Sequence, residues 1–169
     1  ERKDDMTLTS STLESAVTAA VSDLLFAIDD LDWEGVRNAL ADEVTIDYTS
    51  LWGGEPEHLA ASELVARWQG LLPGFDATQH LTGPIVGRQA GEGRVTATTT
   101  VRGYHVVETA GEPTIWMVAG RYLMTLEQGA DGDWKISGVT LRVAYQEGDR
   151  GLPDVAKSRS ASGSGGRAA

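Results

Sequence analysis

The chain is 169 residues long, enough for one domain with a sizeable core, and 41% hydrophobic with 23% charged residues, values of a soluble globular protein. Its net charge of −11 supplies no basic field to recruit phosphate, which argues against a nucleic-acid or anionic-membrane binder. The absence of cysteine excludes disulfides and thiolate chemistry and removes the commonest zinc ligand. No apolar run reaches the roughly 20 residues of a membrane span, and no apolar h-region follows the charged N-terminus, so a cytoplasmic enzyme or binding domain is expected.

Residues 1–10 are polar and read as a flexible N-terminus. Ser11 and Glu14 have capping-box spacing. Leu13, Val17, Val21, Leu24, Leu25 and Ile28 then recur at helical spacing and predict an amphipathic helix to about Asp29. Asp30 or Asp32 caps a short second helix carrying Trp33, Val36 and Leu40. Val44, Ile46 and Tyr48 at period two mark a strand, and 49–57, with Gly53, Gly54 and Pro56, a loop. A third helix is expected over about 59–71, with Leu64, Val65 and Trp68 inward, stopped by Pro73-Gly74.

Strand signals follow. One candidate covers 77–86, broken by Gly83-Pro84 as at an edge or bulge. The clearest is 93–107: Val95, Ala97, Thr99, Val101, Gly103, His105 and Val107 share one small, mostly apolar face, and Thr96, Thr98, Thr100, Arg102 and Tyr104 the other. With 114–127 and 134–145 it forms an antiparallel meander. Helices first and a curved sheet after reads as α+β. Residues 148–169 are rich in Ser, Gly and Arg and read as a disordered tail.

His105 closes an apolar strand face, an odd place for a histidine unless that face lines a pocket. His80 lies on the preceding strand, whereas His58 sits among Glu and Pro and reads as a solvated bystander. For His80 and His105 two readings stand level: a buried histidine satisfied by backbone, or an acid–base group working near its ordinary pKa of about 6.5. A histidine base works better with an acid beside it, and Asp29, Asp30 and Asp32 compete for that place. Tyr48 either reaches a cavity or fills core. Arg121 interrupts the alternate set Ile115, Met117, Ala119 and Leu123, which aims a charge either inward at an anion or outward. Phosphate-loop, nucleophile-elbow and His-Glu-x-x-His motifs are missing, and two histidines without a carboxylate motif make a weak metal signal.

Ile28-Asp29 before Asp32-Trp33, then Ile46-Asp47-Tyr48-Thr49-Ser50, Thr78-Gln79-His80, His105 and Asp131-Gly132-Asp133-Trp134-Lys135, occur in an order that resembles the scytalone dehydratase and SnoaL-like polyketide cyclase branch of the nuclear transport factor 2-like superfamily. The resemblance covers 11–147 and implies a cone: a curved, mixed sheet around a pocket closed by N-terminal helices. It implies no cofactor and no metal, a small-molecule substrate, and a homo-oligomer, dimer or trimer. It matches Asp29 and His105 to an aspartate–histidine pair, His80 to a second pocket histidine, and Tyr48 to a carbonyl-activating tyrosine. Ile28 stands where scytalone dehydratase has a second tyrosine, and Arg121 and Leu123 where it has serine and asparagine. These three, with Trp68, are the expected substrate contacts, and the changes among them imply a substrate other than scytalone. The implied activity is a dehydratase- or isomerase-type lyase acting on a polycyclic or polyketide-like molecule. A cyclase or epoxide-opening enzyme of the same fold, and a non-catalytic binding or subunit-scaffold cone, are the alternatives.

Overall fold

The computed structural model describes residues 10–166, with only the backbone given for Ser10 and Ser11. Residues 1–9 of the segment expected to be flexible, and the Ser11 side chain that the capping box needs, therefore fall outside the described residues. Helix α1 runs Ser10–Asp30, and Val17, Val21, Leu24, Leu25 and Ile28 form its buried stripe. Each such side chain contributes about 1.5–3 kcal/mol on leaving water. Leu31 adopts a left-handed φ of 57°, which ends the helix. Asp32 then caps α2 (Trp33–Ala39), its Oδ1 accepting from the Gly35 N–H at 2.9 Å. Strand β1 is Leu40–Asp47, and the expected loop beyond it holds a single turn, α3 (Thr49–Trp52). The third helix starts later than its apolar pattern implies. Glu57–Ala60 is drawn into an edge strand, β2, antiparallel to β1, and α4 covers Ala61–Gln69 before a 3-10 turn at Leu72–Gly74.

The segment read as one broken strand is two, β3 (Ala77–Thr82) and β4 (Val86–Gly91), both antiparallel to the same edge of β5 (Arg94–Thr109) and separated at Gly83-Pro84. Proline carries no N–H for the ladder, so the chain breaks there. Strands β6 (Glu112–Gln128) and β7 (Trp134–Gly148) complete the meander. The seven-stranded sheet has the order β2-β1-β7-β6-β5-β3, with β4 also on β5, and only the β1–β7 pair is parallel. This is the mixed, curved α+β sheet expected, with α1 crossing it at β3, β4, β5 and β7. Among the described residues no helix is long and apolar enough to cross a membrane.

The tail departs most from expectation. Instead of disorder from Gly148 onward, Leu152–Ser162 forms α5 with Leu152, Pro153 and Ala156 buried. The helix lies on the 3-10 turn at Leu72–Gly74, so closely that a side chain at Gly74 would run into the Ala156 carbonyl. The Arg159 guanidinium donates from both terminal nitrogens to the two oxygens of Asp76, each at 2.8 Å, and the Ser160 hydroxyl donates to the Gln69 carbonyl at 3.1 Å. A bidentate, largely buried pair holds what a small apolar face alone would not.

Candidate active site

The concave face of the sheet and helices α1, α3, α4 and α5 enclose a cavity of about 390 Å³. Register decides what points into it, because directly opposed residues of neighbouring strands share a face. His80 on β3 opposes Gly103 on β5, which opposes Val118 on β6; the next rank is Thr78, His105 and Trp116. On the far side Tyr122 of β6 opposes Leu141 of β7, next to Tyr48 at the end of β1. His80, His105, Tyr48, Tyr122, Trp52, Trp68 and Trp116 give the cavity aromatic walls, with Ile28, Val101 and Leu141 between them.

Asp29, in the last turn of α1, grips His80 twice. Its Oδ2 accepts the backbone N–H of His80 at 2.7 Å, and its Oδ1 lies 2.7 Å from the ring Nδ1. Both side chains are largely buried, at 15% and 10% exposed. Burial by itself would raise the Asp29 carboxyl, but the hydrogen bonds and charge of His80, with a further bond from the Thr78 side chain, hold it below the usual carboxylate range. An ionised Asp29 holds the proton of the neutral imidazole on Nδ1, and in that form Nε2 carries the lone pair. The correction to the expected pairing is therefore that Asp29 joins His80, not His105. The reason is geometric: the end of α1 packs on β3, whereas His105 lies one strand further in.

His105 stacks on Trp116 with ring centroids 4.6 Å apart, lies 5.0 Å from Phe75, and meets the His80 ring edge-on at 6.0 Å. Its Nδ1 is buried with no hydrogen-bond partner. Burial, and next the charge of His80, push its pKa down to about 3, so it is a neutral imidazole at physiological pH. That correction matters for chemistry. A neutral His105 can hydrogen-bond a substrate oxygen but is no reservoir of an acidic proton.

The phenols of Tyr48 and Tyr122 neighbour each other at one wall of the cavity. Burial pushes Tyr48 up to about 12 and Tyr122 well above the ordinary phenol value, so both stay protonated. Two buried phenols at one wall can donate to a developing oxyanion. Ile28 and Trp68 line the cavity as expected. Arg121 and Leu123 do not: both are exposed on the convex face, Leu123 at 42%, and Arg121 pairs with Thr100 of the outer set. The inward set of β6 is Trp116, Val118, Tyr122, Met124 and Leu126, the opposite phase. Tyr122 is thus a pocket residue that sequence reasoning missed, and the large side chains on the same strand phase, Trp116, Val118 and Met124, were the available signal. His58 remains an exposed residue of β2, next to Thr45 and Glu43. Among the described residues no three His, Cys, Asp or Glu side chains gather as metal ligands.

Gly103 keeps the space in front of the histidines. A Cβ there would lie 3.4 Å from His80 Nε2, His80 Cδ2 and His105 Cε1. Gly103→Ala is expected to leave the melting temperature unchanged or higher, since alanine suits a strand better than glycine. The methyl group should nevertheless lower any His80-dependent turnover more than about tenfold by occupying the space in front of Nε2 that the substrate would need. Paired thermal-melt and rate measurements check this, and unimpaired turnover would show that Nε2 is not the working atom.

The architecture is shared with solved proteins of low sequence identity. A Kribbella flavida protein is 24% identical, with a TM-score of 0.76, over 88% of this chain and 99% of its own. A Novosphingobium aromaticivorans protein assigned as a scytalone dehydratase is 18% identical, with a TM-score of 0.71, over 86% and 93%. A hexachlorocyclohexane dehydrochlorinase, LinA-type3 of Novosphingobium barchaimii, is 18% identical, with a TM-score of 0.62, over 82% and 91%. At these identities the likeness speaks for the fold. Residues 9–140, well over half of the chain, match the SnoaL-like domain profile, and the protein belongs to that family within the nuclear transport factor 2-like superfamily.

Proposed function

We propose that this protein is an acid–base enzyme that eliminates water from a cyclic β-hydroxy carbonyl compound of polyketide type, with His80 as the single proton carrier. The observation that carries the reading is the Asp29 clasp, which leaves His80 Nε2 as a lone pair facing an aromatic cavity. Nε2 takes the proton α to the carbonyl, and the electron pair of the C–H bond moves to the carbonyl oxygen. Tyr48 and Tyr122 donate to that enolate oxygen, while anionic Asp29 steadies the imidazolium. Collapse of the enolate expels the β-hydroxyl, which takes the proton back from His80 and leaves as water. One histidine serving both steps requires proton and hydroxyl on the same face of the substrate. Neutral His105 holds the departing oxygen by a hydrogen bond rather than supplying a proton. Two structural neighbours named as a dehydratase and a dehydrochlorinase, both eliminations, support the class of reaction. The chemistry calls on no cofactor and no metal.

The test is proton exchange, which isolates the first step from substrate identity. The protein in deuterium oxide with 2-tetralone, a cyclic ketone with acidic α-protons, should accelerate deuterium uptake seen by proton NMR, and His80→Gln should not. Equal rates with and without protein would remove the base.

The convex face supports a homo-oligomer. Leu81, Leu123 and Tyr145 stand 42–49% exposed there, beside Ile115 at 42%. Such large apolar groups on one sheet face suit a second copy of the chain. Light scattering at micromolar concentration should give a dimer or trimer, and Leu123→Glu should shift it toward monomer; a monomeric wild type would reject the assembly.

A further inference from the structure

The charges around the cavity are unevenly matched. Arg67, at its mouth, donates to Glu57 and to Glu63, each at 2.8 Å, so its charge is spent. Both Asp29 oxygens face His80. Lys157, which lines the cavity from α5, has no ion pair among the described residues. Among the described residues no carboxylate lines the cavity, although the chain as a whole carries a net charge of −11. A solvated lysine on a strongly acidic protein ordinarily finds an acidic neighbour, and this one faces an aromatic pocket instead. Its backbone is fixed by the buried Ala156 next to it and by the Arg159–Asp76 pair two residues on. Lys157 therefore lines the cavity from a helix anchored independently of any ligand.

We infer that Lys157 is a specificity residue for an oxyanion on the substrate, a carboxylate or an acidic phenol, at the mouth of the cavity. The planar body of the ligand then lies among Trp52, Trp68 and Trp116, and its reacting carbon points toward His80. Within that arrangement the lone cation selects anionic ligands over neutral ones of the same shape, and its field draws them toward a site on a protein that otherwise repels them. Taken as a substrate contact, this rests on the reading of the cavity as the reaction site; taken as a binding preference, it can be measured without turnover.

The experiment titrates 2-naphthoate and its neutral isostere 2-naphthamide into the full chain, following tryptophan fluorescence. Wild type should bind the carboxylate about tenfold more tightly than the amide, as a charge-assisted hydrogen bond in a partly enclosed site allows, with the advantage shrinking as salt rises. Lys157→Gln should bring the ratio to about one while leaving amide affinity unchanged, and Lys157→Arg should retain the preference. Lys157 is exposed, so these variants are expected to match wild type in circular dichroism and melting temperature. A ratio near one in wild type, a preference that survives Lys157→Gln, or no binding of either probe at millimolar concentration would each overturn the inference. His80→Gln should keep the preference. A protein that shows the Lys157-dependent preference yet exchanges no protons would refute the elimination reading alone.

Discussion

His80→Gln and Asp29→Asn should each lower turnover about 10²–10⁴-fold, and the double variant should be little worse than either single one. The reason is the double contact of Asp29 with the ring and backbone of His80. Glutamine keeps a polar side chain but has no basic nitrogen. Asparagine keeps the shape of Asp29 but cannot balance an imidazolium, and its amide group faces Nδ1 or the backbone N–H with the wrong polarity at one of the two contacts. Groups that act as one unit are lost together, so their effects do not add. Asp29→Asn should also cost about 1–3 kcal/mol of stability, because it weakens a charge-assisted bond to a strand backbone. Tyr48→Phe should cost less turnover than either, since the Tyr122 hydroxyl remains at the same wall. Single-turnover rates with denaturant midpoints for all four proteins separate the two effects. Additive losses in the double variant would mean that Asp29 and His80 act separately, and near-normal turnover of His80→Gln would return the pair to a structural role.

The second large effect is on stability against pH. The folded His105 has its pKa pushed down to about 3 from an ordinary 6.5, so between those values the unfolded chain binds a proton there that the folded chain refuses. For such a depressed group the contribution to stability is fully present above pH 6.5 and is lost as pH falls toward 3. The slope is about 1.4 kcal/mol per pH unit, and the whole interval amounts to several kcal/mol. Asp29 is also depressed, but its contribution is lost only around and below the ordinary carboxylate pKa, beneath the upper part of this window. His105→Phe removes the titrating group and fits a site already formed by Phe75 and Trp116. It gives up only weak ring contacts with the backbone of Trp116 and Gly103, since Nδ1 has no hydrogen-bond partner. Between pH 6 and 4.5 the wild type should therefore lose about 2 kcal/mol more than His105→Phe in urea unfolding. Parallel slopes for the two proteins would show that His105 accepts a proton in the folded state at ordinary pH.

Periodicity alone determined the parts of this protein whose two faces differ strongly. The stripe Val17, Val21, Leu24 and Ile28 stands at full amplitude in α1, and it brings Asp29 to the end of a helix that lies on the sheet. On β5 the alternation is reproduced in the burial pattern from Val95 to Gly103, and the pairing with Thr78 and Trp116 carries His105 onto the same concave face. β6 lacks that contrast: Trp116, Met117, Val118 and Ala119 are buried in succession, because on the convex face Met117 and Ala119 are shielded by the larger side chains paired beside them, Tyr104, Arg102 and Tyr145. The alternation left Arg121 open between inward and outward, the resemblance set it and Leu123 among the substrate contacts, and the register with β5 turns Tyr122 inward and Arg121 outward. The partner of Asp29 was undecidable for a similar reason. Three aspartates stand close together around the end of α1, and the choice of His80 depends on where β3 passes the helix end, 51 residues along the chain. The C-terminal segment has too few apolar residues to announce a helix. Its order comes from three buried side chains and from Arg159 meeting Asp76 across 83 residues, a contact that exists only once the cone has closed.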